Sequence, residues 1–186
     1  MRIITGHARG ARLKAPHGID TRPTADRVKE SVFNILGARV IDARVLDLFA
    51  GTGNLGLEAL SRGARQCIFI DSTTANIIRD NATHTKLVNK TEIYQNDVYR
   101  VLKQYIKKNN QFELIFCDPP YNRSHGNAVI EMINCSSLLA PNGVIIIEHS
   151  RHEVLSDSWE SLEIVRTERY GETVVSFIQP KIPDRR

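Results

Sequence analysis

No apolar run in this 186-residue chain is long enough to cross a bilayer. The longest, such as Gly143 to Ile147, fall far short of the roughly 20 residues that a spanning helix needs. A helical membrane protein is therefore excluded, and no membrane partner is expected. The first ten residues carry Arg2 and Arg9 but no apolar stretch of the kind that opens a secretory leader, so a cytoplasmic location is expected. Cysteine is scarce. Cys67, Cys117 and Cys135 are odd in number and lack any Cys-x-x-Cys spacing, which argues against both a disulfide framework and a zinc site. Cys67 and Cys117 lie in apolar runs and read as small core residues. Six histidines show no metal-ligand spacing, so no metal is expected; His125 and His149 read as polar surface residues, and Trp159 and Phe177 as packing residues. Neither a Ser-His-Asp set, nor an internal repeat, nor a low-complexity segment is present.

A large charge of one sign is missing too. Lys and Arg number 25 against 21 Asp and Glu, a net of +4. Divided along the chain, this modest figure changes meaning. Residues 1–44 hold nine basic and four acidic side chains, whereas the remainder holds 16 and 17, so the whole basic excess lies in the first quarter. Such a segment suits contact with a polyanion. The length fits one domain with a small appendage, and a hydrophobic share of 41% supports a core.

From Arg44 onward, short β-branched runs alternate with helix-like segments, the pattern of an α/β protein with a mostly parallel sheet. Strands are expected at 45–49, 67–71, 92–95, 114–118 and 144–148, and helices at 54–62, 74–86, 98–107 and 127–139. Residues 162–170 and 173–179, separated by Gly171 and Glu172, read as a C-terminal antiparallel hairpin that closes a seven-stranded sheet. The chain thus divides into 1–43, a basic extension, and 44–186, the α/β domain. Within the extension, Arg2–Thr5 and Ala11–Ala15 suggest a small β-hairpin around Gly6 and Gly10. A helix follows, with Thr24 as its cap and Val28, Val32, Phe33, Ile35 and Leu36 on its buried face. This leaves Arg27 and Lys29 on its flanks. The helix is expected to pack on the sheet and the hairpin to stand off it.

The segment Asp47-Leu-Phe-Ala-Gly-Thr-Gly-Asn-Leu-Gly56 ends a strand and opens a helix, and its glycines let backbone approach a ligand closely. Asp71 follows Gly53 by 18 residues at the end of the next strand, the spacing at which an acid reaches ribose hydroxyls. The pattern alone does not separate a dinucleotide from an adenosyl ligand. Asp47, placed just before the loop, would repel a pyrophosphate and attract an ammonium. Asp97 adds a third acid at a third strand end. S-Adenosylmethionine, which carries an ammonium, a sulfonium and two ribose hydroxyls but no phosphate, matches that set.

Leu114-Ile-Phe-Cys-Asp-Pro-Pro-Tyr121 is the sharpest signal in the chain. Its prolines fix φ and remove two N–H donors, which leaves neighbouring carbonyls free to accept. The Asp118 carboxylate and a main-chain carbonyl can together take the two hydrogens of an exocyclic amine, while Tyr121 stacks on the ring that carries it. Such an amine is a poor nucleophile. Acceptors that draw it toward tetrahedral geometry restore its lone pair for attack on a sulfonium methyl.

These residues resemble the RsmD family, bacterial small-subunit (16S) ribosomal RNA guanine-N2 methyltransferases with a class I, Rossmann-like methyltransferase fold. The likeness runs from Arg2-Ile-Ile, Gly6 and Arg9-Gly10 through Thr21-Arg-Pro-Thr24 and Asp26-Arg-Val28 to Asp47–Gly53, Glu58–Gly63, Asp118–Tyr121 and Gly143–Glu148. Ala11 departs from it, since the family often has a basic residue there.

The resemblance implies transfer of a methyl group from S-adenosyl-L-methionine, leaving S-adenosyl-L-homocysteine, to a guanine of small-subunit ribosomal RNA or of an assembling 30S particle, by a monomer. It implies a catalytic Asp118, Pro119, Pro120 and Tyr121. The expected cofactor residues are Asp47, Phe49, Ala50, Gly51, Thr52, Gly53, Asp71, Ser72, Asn96, Asp97, Val98 and Asp118. For RNA, they are Arg9, Arg12, Lys14, Arg22, Thr24 and Arg27. A DNA adenine-N6 methyltransferase is the nearest alternative, because it can carry the same Asp-Pro-Pro-Tyr loop. An NAD-binding oxidoreductase using only the glycine loop is more distant.

Overall fold

A computed structural model describes residues 1–16, 23–120 and 125–182, with backbone alone for 23–25. In chain order the elements are α1 (Pro23–Leu36), β1 (Arg44–Leu48), α2 (Asn54–Ser61), β2 (Gln66–Asp71), α3 (Ala75–His84), β3 (Thr91–Gln95) and α4 (Val98–Lys107). They continue with β4 (Phe112–Cys117), α5 (His125–Asn134), β5 (Leu139–Ser150), β6 (Leu162–Tyr170) and β7 (Thr173–Pro180). The strands form one seven-stranded sheet in the order β3-β2-β1-β4-β5-β7-β6. The first five are parallel, and β7 pairs antiparallel with both β5 and β6. The chain order reverses between β1 and β4, which is where open α/β sheets bind ligands.

Alternation along each central strand feeds two cores. Val45, Phe69, Leu114, Phe116 and Ile146 pack on one face with Val28, Val32, Phe33 and Leu36 of α1. Leu46, Leu48, Ile68, Ile115 and Ile147 pack on the other with α4 and α5. Both faces are therefore covered, and this is why the central strands read as near-continuous apolar runs. Cys67 and Cys117 are buried among them. Trp159 and Phe177 are buried as well.

The elements depart from the sequence expectation in instructive places. α5 stops at Asn134, and β5 starts at Leu139, inside the span expected to be helix's end. α1 starts at Pro23, one residue ahead of the expected Thr24 cap, as suits a proline in a first turn. The N-terminal hairpin is reduced to a single bridge, Arg2 to Arg12, and it does not stand off. It docks on α2: the amides of Ile4 and Thr5 donate to the Glu58 carboxylate (2.8 and 3.0 Å), and those of His7 and Ala8 to the carbonyl and hydroxyl of Ser61 (2.9 Å each). Ile3 and Leu13 are buried by this docking. Gly6 makes it possible, since a Cβ there would lie 1.8 Å from the Ser61 carbonyl oxygen.

Lys29, expected on a flank of α1, is buried instead. Its ammonium donates to the Arg2 carbonyl (2.6 Å) and the Asn54 side chain (2.7 Å), and lies 3.2 Å from Glu58, which also pairs with Arg62 at 2.8 Å. A buried charge must be paired and hydrogen-bonded to persist, and here both conditions are met. His149, expected at the surface, is also buried, hydrogen-bonded to Ser176 and to the Ser150 carbonyl.

Candidate active site

The glycine loop leaves β1 through a strained turn. Phe49 has φ 57°, unusual for a residue with a side chain, and Gly51 has φ 55°. A Cβ on Gly51 would meet nothing closer than the Phe49 carbonyl oxygen at 4.0 Å, so its face is open for a ligand's approach. Carboxylates hold the loop in place. Asp71, at the end of β2, accepts the Gly51 amide (3.0 Å) with one oxygen and the Thr73 and Thr74 amides (2.8 and 3.0 Å) with the other. Partial burial pushes the Asp71 pKa up, but these three amides outweigh it and hold the carboxyl below its usual range. Asp47 accepts the Gly56 amide at 2.9 Å. Its full burial dominates that one bond, and with the nearby charge of Asp71 it pushes the pKa up to about 8.

The end of β3 completes this row. Asp97 caps α4 by accepting the Arg100 amide (2.9 Å), Asn96 accepts the Asp97 amide (2.9 Å), and Val98 is buried as the first residue of α4. Ser72 is exposed, and its carbonyl accepts from Gln95 (3.4 Å). All three expected acids thus sit at successive strand ends. Each also bonds a local amide, so all three brace the backbone at the strand ends. Beside them, the Tyr99 hydroxyl lies 2.6 Å from a ring nitrogen of His125, which packs against Phe49 at 5.8 Å between ring centres. His125 is half-buried in this aromatic cluster.

A cavity of about 600 Å³ opens between α1 and the carboxyl ends of β1, β4 and β5. Of the expected residues, Asp47, Phe49, Ala50, Gly51, Thr52 and Asp118 line it. Gly53, Asp71, Ser72, Asn96, Asp97, Val98, Pro119 and Pro120 do not; the first six flank its β1–β3 end, and Tyr121 lies outside the described residues. The Asp118 amide points to the Leu48 carbonyl (3.4 Å), which joins the proline loop to the end of β1. Asp118 is accessible from the cavity, yet protein atoms crowd its carboxyl. That desolvation, followed by the negative charges of Glu148 and Asp47, raises its pKa well above the usual carboxylate range.

Several lining residues were not among those expected: Lys29, Asn54, Glu148 and Glu172. Glu148 had no signal in the sequence alone, because strand pairing brings it to the site. Cys117 pairs with Ile147, so the next residues along the two parallel strands, Asp118 and Glu148, stand side by side on the α1 face. Lys29 had a partial one, since it shares a helical stripe with Phe33 and Leu36, but its charge pointed to a flank.

The basic residues divide. Arg9 and Arg27 share a groove of about 470 Å³ with Arg2, Asp26 and Glu30 between the hairpin and α1. Arg12 is exposed. Lys14 is also exposed, but it pairs with Asp80 at 2.9 Å, which offsets its charge. Arg22 and the Thr24 side chain lie outside what is described. Among the described residues, no group of acidic, His and Cys side chains could hold a metal ion, and no helix is long and apolar enough to cross a membrane.

Comparison with known proteins bears on this geometry. The profile of a family described as "Conserved hypothetical protein 95" matches residues 1–179. Ribosomal RNA small subunit methyltransferase D of Haemophilus influenzae is 34% identical over 168 residues, covering 88% of this chain and 86% of the relative. The chain belongs to the RsmD family. The Bacillus subtilis protein YlbH is 40% identical over 97% of this chain and 100% of its own length. Among solved structures, the Escherichia coli protein yhhF superposes with a TM-score of 0.83 at 29% identity, covering 97% of this chain and 98% of that one. The sheet order and C-terminal hairpin are those of the class I methyltransferase fold that the RsmD resemblance implied.

Proposed function

We propose that this protein methylates the exocyclic N2 amine of a guanine in small-subunit ribosomal RNA, using S-adenosyl-L-methionine. One observation carries the reading: Asp118, from the Asp-Pro-Pro segment, and the open face of Gly51, from the glycine loop, line the same cavity. Amine acceptor and cofactor loop thus meet at the switch point of the sheet. The residues fit the cofactor. Asp71, held ionised by three amides, suits ribose hydroxyls; Asp97 and the Val98 amide stand at the next strand end; buried Asp47, neutral on its own, would ionise beside an arriving ammonium. Bound there, the cofactor supplies a methyl group activated by its sulfonium.

The protein's part is to orient and deprotonate the amine. Asp118 and a carbonyl of the proline loop accept its hydrogens and draw N2 toward tetrahedral geometry, so that the lone pair lies in line with the methyl carbon. As the amine gives up its lone pair to the methyl group, Asp118 would take one amine proton, and its raised pKa suits it to hold that proton. The target base must leave its stack to enter the cavity. Residues 1–43 are the RNA-contacting extension in this reading, with Arg9, Arg12 and Arg27 on phosphates, and 44–186 the catalytic domain. Arg22 and Thr24 belong near the target by resemblance, Tyr121 against the base, and a monomer acts on free RNA or the assembling 30S particle.

Mass spectrometry of ribosomal RNA nucleosides from a strain lacking the gene tests the reading. One N2-methylguanosine should vanish from small-subunit RNA and return with the wild-type gene but not with Asp118→Ala. An unchanged nucleoside profile would overturn it.

A further inference from the structure

We propose that Asn54 receives the carboxylate of the cofactor's methionine part: its side-chain amide, oriented by Lys29, donates an Nδ2–H into the cavity. The inference rests on the reading above that S-adenosyl-L-methionine binds there, and it assigns a partner to that ligand's only anionic group. Asn54 opens α2 directly after the glycine loop, and it lines the cavity. Because the Cα–Cβ bond of a helical residue tilts toward the helix N-terminus, its side chain leans back toward that loop. The two ends of its amide are not equivalent. The oxygen accepts from the Lys29 ammonium at 2.7 Å, and Lys29 is only 1% exposed, so a buried charge fixes it. Turning the amide over would press its NH2 against that ammonium, donor on donor. Nδ2 is thereby kept on the other side, and it has no hydrogen-bond partner among the described residues.

Such a donor calls for an acceptor, and an ionised carboxylate is an acceptor only. Lys29 does not serve it directly, because its three N–H groups go to the Arg2 carbonyl (2.6 Å), Asn54 and Glu58 (3.2 Å). Thr52 and Tyr170, also on the cavity wall, spend their hydroxyl hydrogens on Met1 and Ser31. Position selects the carboxylate among the ligand's acceptors. Asp47, suited to the ammonium, bonds the amide of Gly56, in the same first turn of α2 that Asn54 begins. A donor and an acid thus stand close together, as the carboxylate and the ammonium do on one carbon of the ligand.

The test is calorimetric and compares S-adenosyl-L-homocysteine with its decarboxylated analogue, S-adenosyl-3-thiopropylamine, which keeps every group but the carboxylate. Wild type should bind S-adenosyl-L-homocysteine at least ~10-fold more tightly, since a charge-assisted hydrogen bond goes with the carboxylate. Asn54→Ala should lower that ratio about 10-fold, through weaker binding of S-adenosyl-L-homocysteine alone. Asn54→Asp, which puts an acceptor in the donor's place, should lower it further. A merely structural Asn54 would weaken both ligands alike, and a ratio unchanged in both variants would overturn the proposal. So would a wild type that binds the two ligands equally, a measurement that needs no variant to fold. Retained binding of the analogue shows that each variant is folded. The two levels separate as well: a wild type that binds neither ligand removes the cofactor reading itself, whereas tight binding of S-adenosyl-L-homocysteine with a ratio insensitive to Asn54 removes only this residue's role.

Discussion

At the β1–β3 end of the site, main-chain amides surround the acids: three reach Asp71, Gly56 reaches Asp47, and Asp97 receives the first turn of α4. At the β4–β5 end, protein atoms crowd Asp118, and with the charges of Glu148 and Asp47 they favour its protonated form. The first arrangement is finished by folding, so a ligand meets preformed acceptors. The second leaves the charge of Asp118 sensitive to its surroundings, so its protonation responds to what enters the cavity.

If the ends are this different, substitutions should separate them. The largest effect is expected from Asp118→Asn, which should slow methyl transfer at least ~10³-fold while affinity for S-adenosyl-L-homocysteine, measured by calorimetry, stays within a few-fold. A joint collapse of rate and affinity would mean that the ends are one site. Asp71→Asn should do the reverse, weakening cofactor binding about 10- to 100-fold through lost charge-assisted hydrogen bonds, with kcat at saturation little changed. A variant with normal affinity and low kcat would break the distinction.

A smaller effect concerns stability. The folded state keeps a proton on Asp47 up to about pH 8, whereas an unfolded chain gives it up near pH 4. Between these values the folded state binds more protons, so this residue makes stability fall as pH rises. Asp47→Asn should therefore melt above wild type by a few degrees (about 2–5 °C) at pH 9, with the gap closing toward pH 4; a gap independent of pH would assign the effect to packing. The smallest change is expected from replacing Arg9 and Arg27 together with alanine. The slope of log affinity for RNA against log salt should drop by about 1 to 2, with cofactor affinity unaltered.

Much of this was legible from residue pattern. The β-branched runs gave the strands because both sheet faces are covered, and the glycine loop and Asp-Pro-Pro segment carry their geometry in local sequence. What escaped were residues whose partners lie far along the chain. Lys29 looks like a solvated flank until Glu58, 29 positions later, is brought beneath it. His149 follows Ile145 and Ile147 on the buried face of β5, but its acceptance there depends on Ser176 of β7. Glu148 reads as the polar end of a strand; only the pairing of β4 with β5 sets it next to Asp118.

The docking of the hairpin on α2 has a consequence for how the molecule can change. Glu58 and Lys29 are bolts that join the arginine-bearing segment to the helix that opens from the glycine loop. Trimming the first fifteen residues would take hydrogen-bond partners from two interior charges, so the arm cannot be shed as a tail without loosening the α/β domain. Its exposed arginines, in contrast, hang outside the bolts. They are free to be exchanged for a different substrate surface while the junction beneath them stays intact.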